Sequence, residues 1–233
     1  MYFKKTAIYF LGMCIGFCQE ITEVSEPPNI KSITFKGFDK LTQFPLVSLD
    51  ESILLEFDDL NGDEQNYYYR INYHNYNWER SDLFKSEFLS GLDNLRIENY
   101  ENSFNTLQPY THYKLEIPNS DTNFKLSGNY MIEIYDESDK IIFSRRFLVY
   151  NDTAIVSSKV FRSRDMQYYE THQSIHFSII PKSKMPYRDP ENLVRVVILQ
   201  NEQWDSMKSD FKPQYINGNK LEYRYDNKTK FEG

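Results

Sequence analysis

From Ile30 onward the chain alternates apolar and polar residues in short runs separated by turn residues. Lys31, Ile33, Phe35 and Gly37 fall on one side of an extended segment, and Ile30, Ser32, Thr34 and Lys36 on the other. That spacing predicts a strand with one apolar face. Residues 52–57 predict a second strand, followed by the turn-rich 58–63, where Asn61-Gly62 tolerates positive φ and predicts a hairpin. Within 67–76, Tyr67, Tyr69, Ile71 and Tyr73 oppose Tyr68, Arg70, Asn72 and His74. Further strands are predicted at 95–100, 112–117, 130–135 and 141–150. Such short, turn-punctuated strands suit a β-sandwich better than a parallel α/β sheet. Leu126-Ser127-Gly128-Asn129-Tyr130 has the form of a tyrosine corner, in which a hydroxyl turns back onto the preceding loop, and Trp78 stands near where immunoglobulin-like folds bury a Trp. The expected fold class is all-β: an immunoglobulin/fibronectin-like sandwich over 30–151, then a second β-domain over 152–233.

In that second stretch, strands are predicted at 156–161, 174–180 and 193–201. Leu193-Val194-Arg195-Val196-Val197-Ile198-Leu199 is nearly continuous and predicts a strand buried on both faces. Pro181, Pro186 and Pro190 punctuate the loop before it. Asn217-Gly218-Asn219 predicts a turn ahead of Leu221, Tyr223 and Tyr225. The sequence stops directly after this strand, so the second domain is expected to be cut short at its C-terminus. At the other end, Lys4 and Lys5 precede an apolar run and a polar exit, the pattern of a secretory signal peptide over 1–18 with cleavage near Cys18 and Gln19. Residues 19–29, with Pro27-Pro28, read as an extended lead-in. Lipidation of Cys14 or Cys18 is a lesser alternative, because Met13 and Phe17 stand where a small residue is wanted.

Composition narrows the function classes. Aromatics make up 16% of the chain, with 19 Tyr, and Ala occurs only at positions 7 and 154. This favours strands over helices and argues against disorder, although an AT-rich genome would also raise Tyr, Phe and Ile. A formal net charge of −7 argues against nucleic-acid binding, which needs a basic face.

Candidate chemistry is sparse. His172 and His176 have zinc-helix spacing, but Gln173 stands where the zinc-protease pattern needs Glu. On a strand the pair would lie about 13 Å apart. There is no Gly-x-Ser-x-Gly elbow, phosphate loop or dinucleotide fingerprint. Asp58, Asp59, Asn61 and Asp63 could in principle hold Ca²⁺, yet lack the spacing and closing Glu of an EF-hand. Asp152-Thr153-Ala154 and Asp205-Ser206-Met207 match a short O-glycosylation signal of Bacteroidetes secretory proteins. No catalytic residue, metal ligand or cofactor is expected.

Read as a set, several segments resemble the type IX secretion system plug protein family of Bacteroidetes. They are Glu56-Phe57-Asp58-Asp59-Leu60, Tyr67-Tyr68-Tyr69-Arg70-Ile71, His74 with Asn77-Trp78, and Tyr100-Glu101-Asn102-Ser103-Phe104-Asn105-Thr106. Tyr110-Thr111-His112-Tyr113, Pro118-Asn119, Ser127-Gly128-Asn129-Tyr130 and Arg145-Arg146-Phe147 follow, and Asp189-Pro190, Gln200-Asn201 and Trp204 extend the match. Where the family pattern carries Cys after the His, this sequence has Asn75. The resemblance implies a non-enzymatic periplasmic protein that docks on the inner mouth of the outer-membrane translocon pore and seals it when no cargo is crossing. It also implies further sequence beyond Gly233 in family members. Trp78, Tyr110 and His112 are the candidate partner contacts, with a core or corner role as the alternative for each. The competing function is a carbohydrate-binding sandwich module of a surface glycan system, suggested by Tyr68, Trp78 and Tyr110.

Overall fold

The computed structural model describes residues 23–38, 43–183 and 189–232; the signal-peptide and lipidation readings fall outside the described residues. Eleven strands build a first unit. They are β1 (Ile30–Gly37), β2 (Leu46–Ser48), β3 (Ile53–Asp59), β4 (Tyr68–His74), β5 (Leu89–Gly91), which follows the single helical turn α1 (Lys85–Phe88), and β6 (Leu95–Arg96). The series continues with β7 (Tyr100–Asn102), β8 (Thr111–Ile117), β9 (Thr122–Phe124), β10 (Gly128–Tyr135) and β11 (Ile141–Tyr150). One sheet has the order β1-β3-β8-β7 and the facing one β2-β11-β10-β4-β6, with β5 and β9 pairing as a short ribbon. Every pairing is antiparallel except β2 on β11. This is the strand arrangement of an immunoglobulin-like sandwich. Residues 23–26 run along β11: Val24 exchanges bonds with Ser144, and Glu23 accepts from the Arg146 amide at 2.6 Å.

The core is aromatic. Phe57 stacks on Tyr113 with centroids 5.1 Å apart and meets Phe143 of the facing sheet edge-on at 5.2 Å. Tyr130 stacks on Phe147 at 5.2 Å, and Phe35 and Phe124 close over that ring. Four tyrosines of this core keep their hydroxyls satisfied inside it. Tyr67 donates to Asp59 at 2.8 Å, Tyr113 to the Gln65 carbonyl at 2.9 Å, and Tyr73 to the Ser127 carbonyl at 2.9 Å. Tyr130 donates to the Leu126 carbonyl at 2.7 Å, which is the expected tyrosine corner. Gly128 is required there, since a Cβ at that position would lie 2.3 Å from the Tyr73 hydroxyl.

Several sequence expectations are corrected. Simple alternation puts Ile30 on the polar side of its strand, but it is fully buried, and Phe35 is nearly so. A bulge between Lys31 and Thr34, with Ser32 at φ 53°, switches the inward face partway along β1. Asn61-Gly62 does not close a hairpin: β3 pairs with β1 and β8, and the chain crosses to the other sheet to form β4. Gly62, at φ 75°, instead lets Pro109 pack closely. Asp58 and Asp59 belong to the end of β3 and point to opposite faces. The single strand expected at 95–100 is split into β6 and β7, which sit in different sheets.

The second unit contains β12 (Ala154–Arg162), β13 (His172–Pro181), the helical turn α2 (Pro190–Leu193), β14 (Ile198–Gln200), β15 (Gln203–Lys208), β16 (Tyr215–Asn217), β17 (Lys220–Tyr223) and β18 (Lys230–Glu232). Its main sheet runs β12-β13-β17-β16, with β18 also on β13, while β14 and β15 form a separate hairpin. The turn at Gly218-Asn219 joins β16 to β17 as expected. The continuous buried strand at 193–201 is not found. Pro190 starts α2, and β14 begins only at Ile198. Val194, Val196 and Ile198 pack on a small core of Phe177, Phe211, Leu221 and Tyr223, while Leu193 and Val197 stay exposed. The run covers one sheet face with alternate residues instead of lying between two layers. His172 and His176 sit on one strand with separate partners, Thr171 and Asp226.

Candidate functional site

Two places present residues that the sequence singled out. The first is the sandwich end formed by the β3–β4 crossing, the β7–β8 loop (residues 103–110) and the β10–β11 turn. Tyr67 braces the β3–β4 crossing by bonding Asp59, whose fully buried carboxylate also accepts from Asn29 at 2.9 Å and the Asn61 amide at 3.0 Å. Burial and that carboxylate push the Tyr67 pKa well above its ordinary value, so the hydroxyl stays a donor. The 103–110 loop is closed at its foot by the Ser103 amide on the Tyr110 carbonyl and the Tyr110 amide on Ser103 Oγ, both at 2.9 Å. Thr106 bonds the Gln108 carbonyl at 2.9 Å, and Gln108 Nε2 reaches the Leu60 carbonyl at 3.0 Å. Internal bonding therefore fixes a loop that holds Phe104 (94% exposed) and Leu107 (108%) in solvent.

Tyr110 stands half-buried at the foot of this loop. His112 lies two residues on, in β8, with Nδ1 2.7 Å from Asp58 and Nε2 3.7 Å from Glu56. Nearby, Glu64 accepts from Tyr100 at 2.7 Å and Asn102 at 2.9 Å, and the Tyr100 bond first of all lowers its pKa. Tyr110 and His112 are thus brought together at one rim. The sequence reading missed Phe104 and Leu107. Their signal was two large apolar residues in Ser-Phe-Asn-Thr-Leu-Gln-Pro, a stretch whose turn residues leave nothing to bury them.

Trp78 lies at the opposite end, where β11 leads into the second unit. It is 5% exposed, yet it is not part of the sandwich core. Its ring meets Trp204 of β15 edge-on at 5.1 Å, and Trp204 also tilts against Phe44 at 5.2 Å. The Arg146 guanidinium lies 5.3 Å from Trp78 and 5.5 Å from Trp204, with Glu23 at 3.8 Å. Two indoles around one cation tie the units together. Buried His74 sits 6.2 Å from Trp78 with Nδ1 unbonded among the described residues. Burial, aided by Arg80 and Arg146, lowers its pKa and keeps it neutral. Trp78 is therefore enclosed by the chain's own second unit. Tyr68, Trp78 and Tyr110 do not form one platform: Tyr68 stacks on Tyr135 within the sheet, and the other two occupy opposite ends.

Among the described residues, no three His, Cys, Asp or Glu side chains converge as a metal site, and no helix is long and apolar enough to cross a membrane.

Comparison with known proteins gives this geometry a context. A crystal structure of a hypothetical protein from Parabacteroides merdae ATCC 43184 superposes with a TM-score of 0.84 at 29% identity, covering 90% of this chain and 54% of that one. The chain thus spans about half the length of that relative. No curated protein matches. A family model, the type 9 secretion system plug protein 1st domain, matches residues 30–151, the segment that contains the whole sandwich. With more than half of its residues matched, the chain belongs to the type 9 secretion system plug protein family.

Proposed function

We propose that this protein is a periplasmic, non-enzymatic plug subunit that docks on the inner mouth of the outer-membrane type IX translocon and seals the pore when no cargo is present. The family match over residues 30–151 carries this reading. The physical form of the sandwich supports it. A seal must bury surface on a rigid scaffold at low entropic cost, and tyrosine-bonded cores with fixed loops supply that. The 103–110 loop presents Phe104 and Leu107 as ready-made anchors, with Tyr110 and His112 at its base. Apolar anchors surrounded by polar residues are the usual energetic centre of an interface.

The test is a pull-down of the tagged protein from outer membranes of a cell that carries the translocon. The pore subunit is expected to co-purify, and to be lost with Phe104→Ser/Leu107→Ser. Recovery of the tagged protein without any pore subunit would sink the proposal.

A further inference from the structure

Strand β12 forms the margin of the second unit's sheet. Among the described residues it pairs only with β13, in nine unbroken steps from Ala154↔Pro181 to Arg162↔Gln173. Every residue from Ile155 to Arg162 is exposed. Two flanking bonds show which backbone groups the ladder uses. Ser163 N donates to the His172 carbonyl and Lys182 N to the Thr153 carbonyl, both at 2.9 Å, in the same register as β12. Antiparallel ladders alternate inward and outward groups, so the odd-numbered residues bond β13. The N–H and C=O of Val156, Ser158 and Val160 then point away from the sheet. Their edge carries no proline or bulge to protect it.

The two faces of this edge differ. Val156 and Val160 lie opposite Ile179 and Ile175, so they extend the apolar face of the small core, yet they are 64% and 54% exposed. On the other face Lys159, opposite His176, holds its ammonium 5.2 Å from the Phe161 ring and pairs with no carboxylate among the described residues. The acids nearby are already engaged, Asp226 by His176 and Arg164 and Glu222 by Lys220 and Arg224. This face is locally cationic on a chain of net charge −7.

We infer that β12 accepts a strand in trans from a partner polypeptide whose side chains alternate between apolar and acidic. The backbone groups of Val156, Ser158 and Val160 supply the ladder, the two valines take the apolar side chains, and Lys159 takes the acids. A second copy of this chain fits less well, because it would bring its own Lys159 to the same ladder. The inference stands independently of the proposed function, since the partner is defined by its chemistry alone.

The probe is the capped nonapeptide Ac-Val-Glu-Val-Glu-Val-Glu-Val-Glu-Val-NH₂, titrated into the purified chain with amide hydrogen exchange and calorimetry as readouts. Exchange at Val156, Ser158 and Val160 should slow at least tenfold, and the Val/Lys counterpart should bind at least tenfold more weakly. Ser158→Pro removes one outward N–H without touching the β13 ladder and should abolish binding. Lys159→Glu, a change at an exposed side chain that leaves folding intact, should reverse the preference between the two peptides. Unchanged exchange, equal binding of both peptides, or full binding by Ser158→Pro would overturn the inference. So would self-association of the chain that Ser158→Pro abolishes, which would make the occupant a second copy.

Discussion

Replacing Trp204 with Ala removes the ring that meets Trp78 at 5.1 Å, Phe44 at 5.2 Å and the Arg146 guanidinium at 5.5 Å. Truncating a fully buried Trp costs ~3–5 kcal/mol. Trp204 is only half-buried, so about 2–3 kcal/mol is expected, of which the aromatic pair and the cation contact supply ~1–2 kcal/mol. None of the first unit's strand ladders involves β15. The cost therefore falls on the attachment of the second unit, and the sandwich stays folded. The variant keeps one of the two tryptophans, so emission reports Trp78 alone. Its maximum should move to the red as water reaches the ring. Protease cleavage within the exposed residues 151–153 should speed up by roughly thirtyfold, the equivalent of ~2 kcal/mol. Trp204→Phe should restore most of both signals. A blue, unshifted Trp78 with unchanged cleavage would refute the idea that these rings hold the units together.

Tyr130→Phe keeps the ring stack on Phe147 and deletes the 2.7 Å bond to the Leu126 carbonyl, so urea unfolding should show a loss of about 1–1.5 kcal/mol; no loss would mean the tyrosine corner contributes nothing. His74 is held neutral, with its pKa below the reference of 6.5, mainly by burial. Its contribution to stability is therefore complete above that pH. It falls on acidification, as the unfolded chain protonates first, by up to ~1.4 kcal/mol per pH unit until the folded imidazole also protonates. The urea midpoint should follow this course between pH 7.5 and 5, and a His74→Gln variant that titrates identically would contradict it. Phe104→Ser/Leu107→Ser should leave stability within ~0.5 kcal/mol of the parent, because neither side chain packs on the protein; a larger drop in thermal melting would show that the loop serves the fold.

The sandwich was legible because its signals are local. Alternation in Tyr67, Tyr69 and Ile71 follows from the pleat, and the Tyr130 corner from a hydroxyl that needs a partner four residues back. What could not be read was set by tertiary contact. Nothing local in Asn61-Gly62 says whether the chain returns to the same sheet or crosses to the other, and the bulge at Ser32 depends on how β1 meets β3. Trp78 was picked out by type and position, but its partner Trp204 lies 126 residues further along the numbering of the chain. Leu193 to Leu199 looked like a buried strand because hydrophobicity alone does not tell a strand between two layers from a cover over one. At the candidate site, Tyr110 and His112 were recognisable, whereas Phe104 and Leu107 stood out only once the 103–110 loop proved to be bonded internally, with no core beneath those two side chains.

The proposed role requires that this protein close a pore. Its most direct test is the ionic conductance of the purified type IX translocon in a planar bilayer, with the protein added to the side corresponding to the periplasm. Open-pore current should fall to the baseline in a saturable manner, and Phe104→Ser/Leu107→Ser should shift the closure to higher concentration. Current that persists undiminished at saturating protein would contradict it.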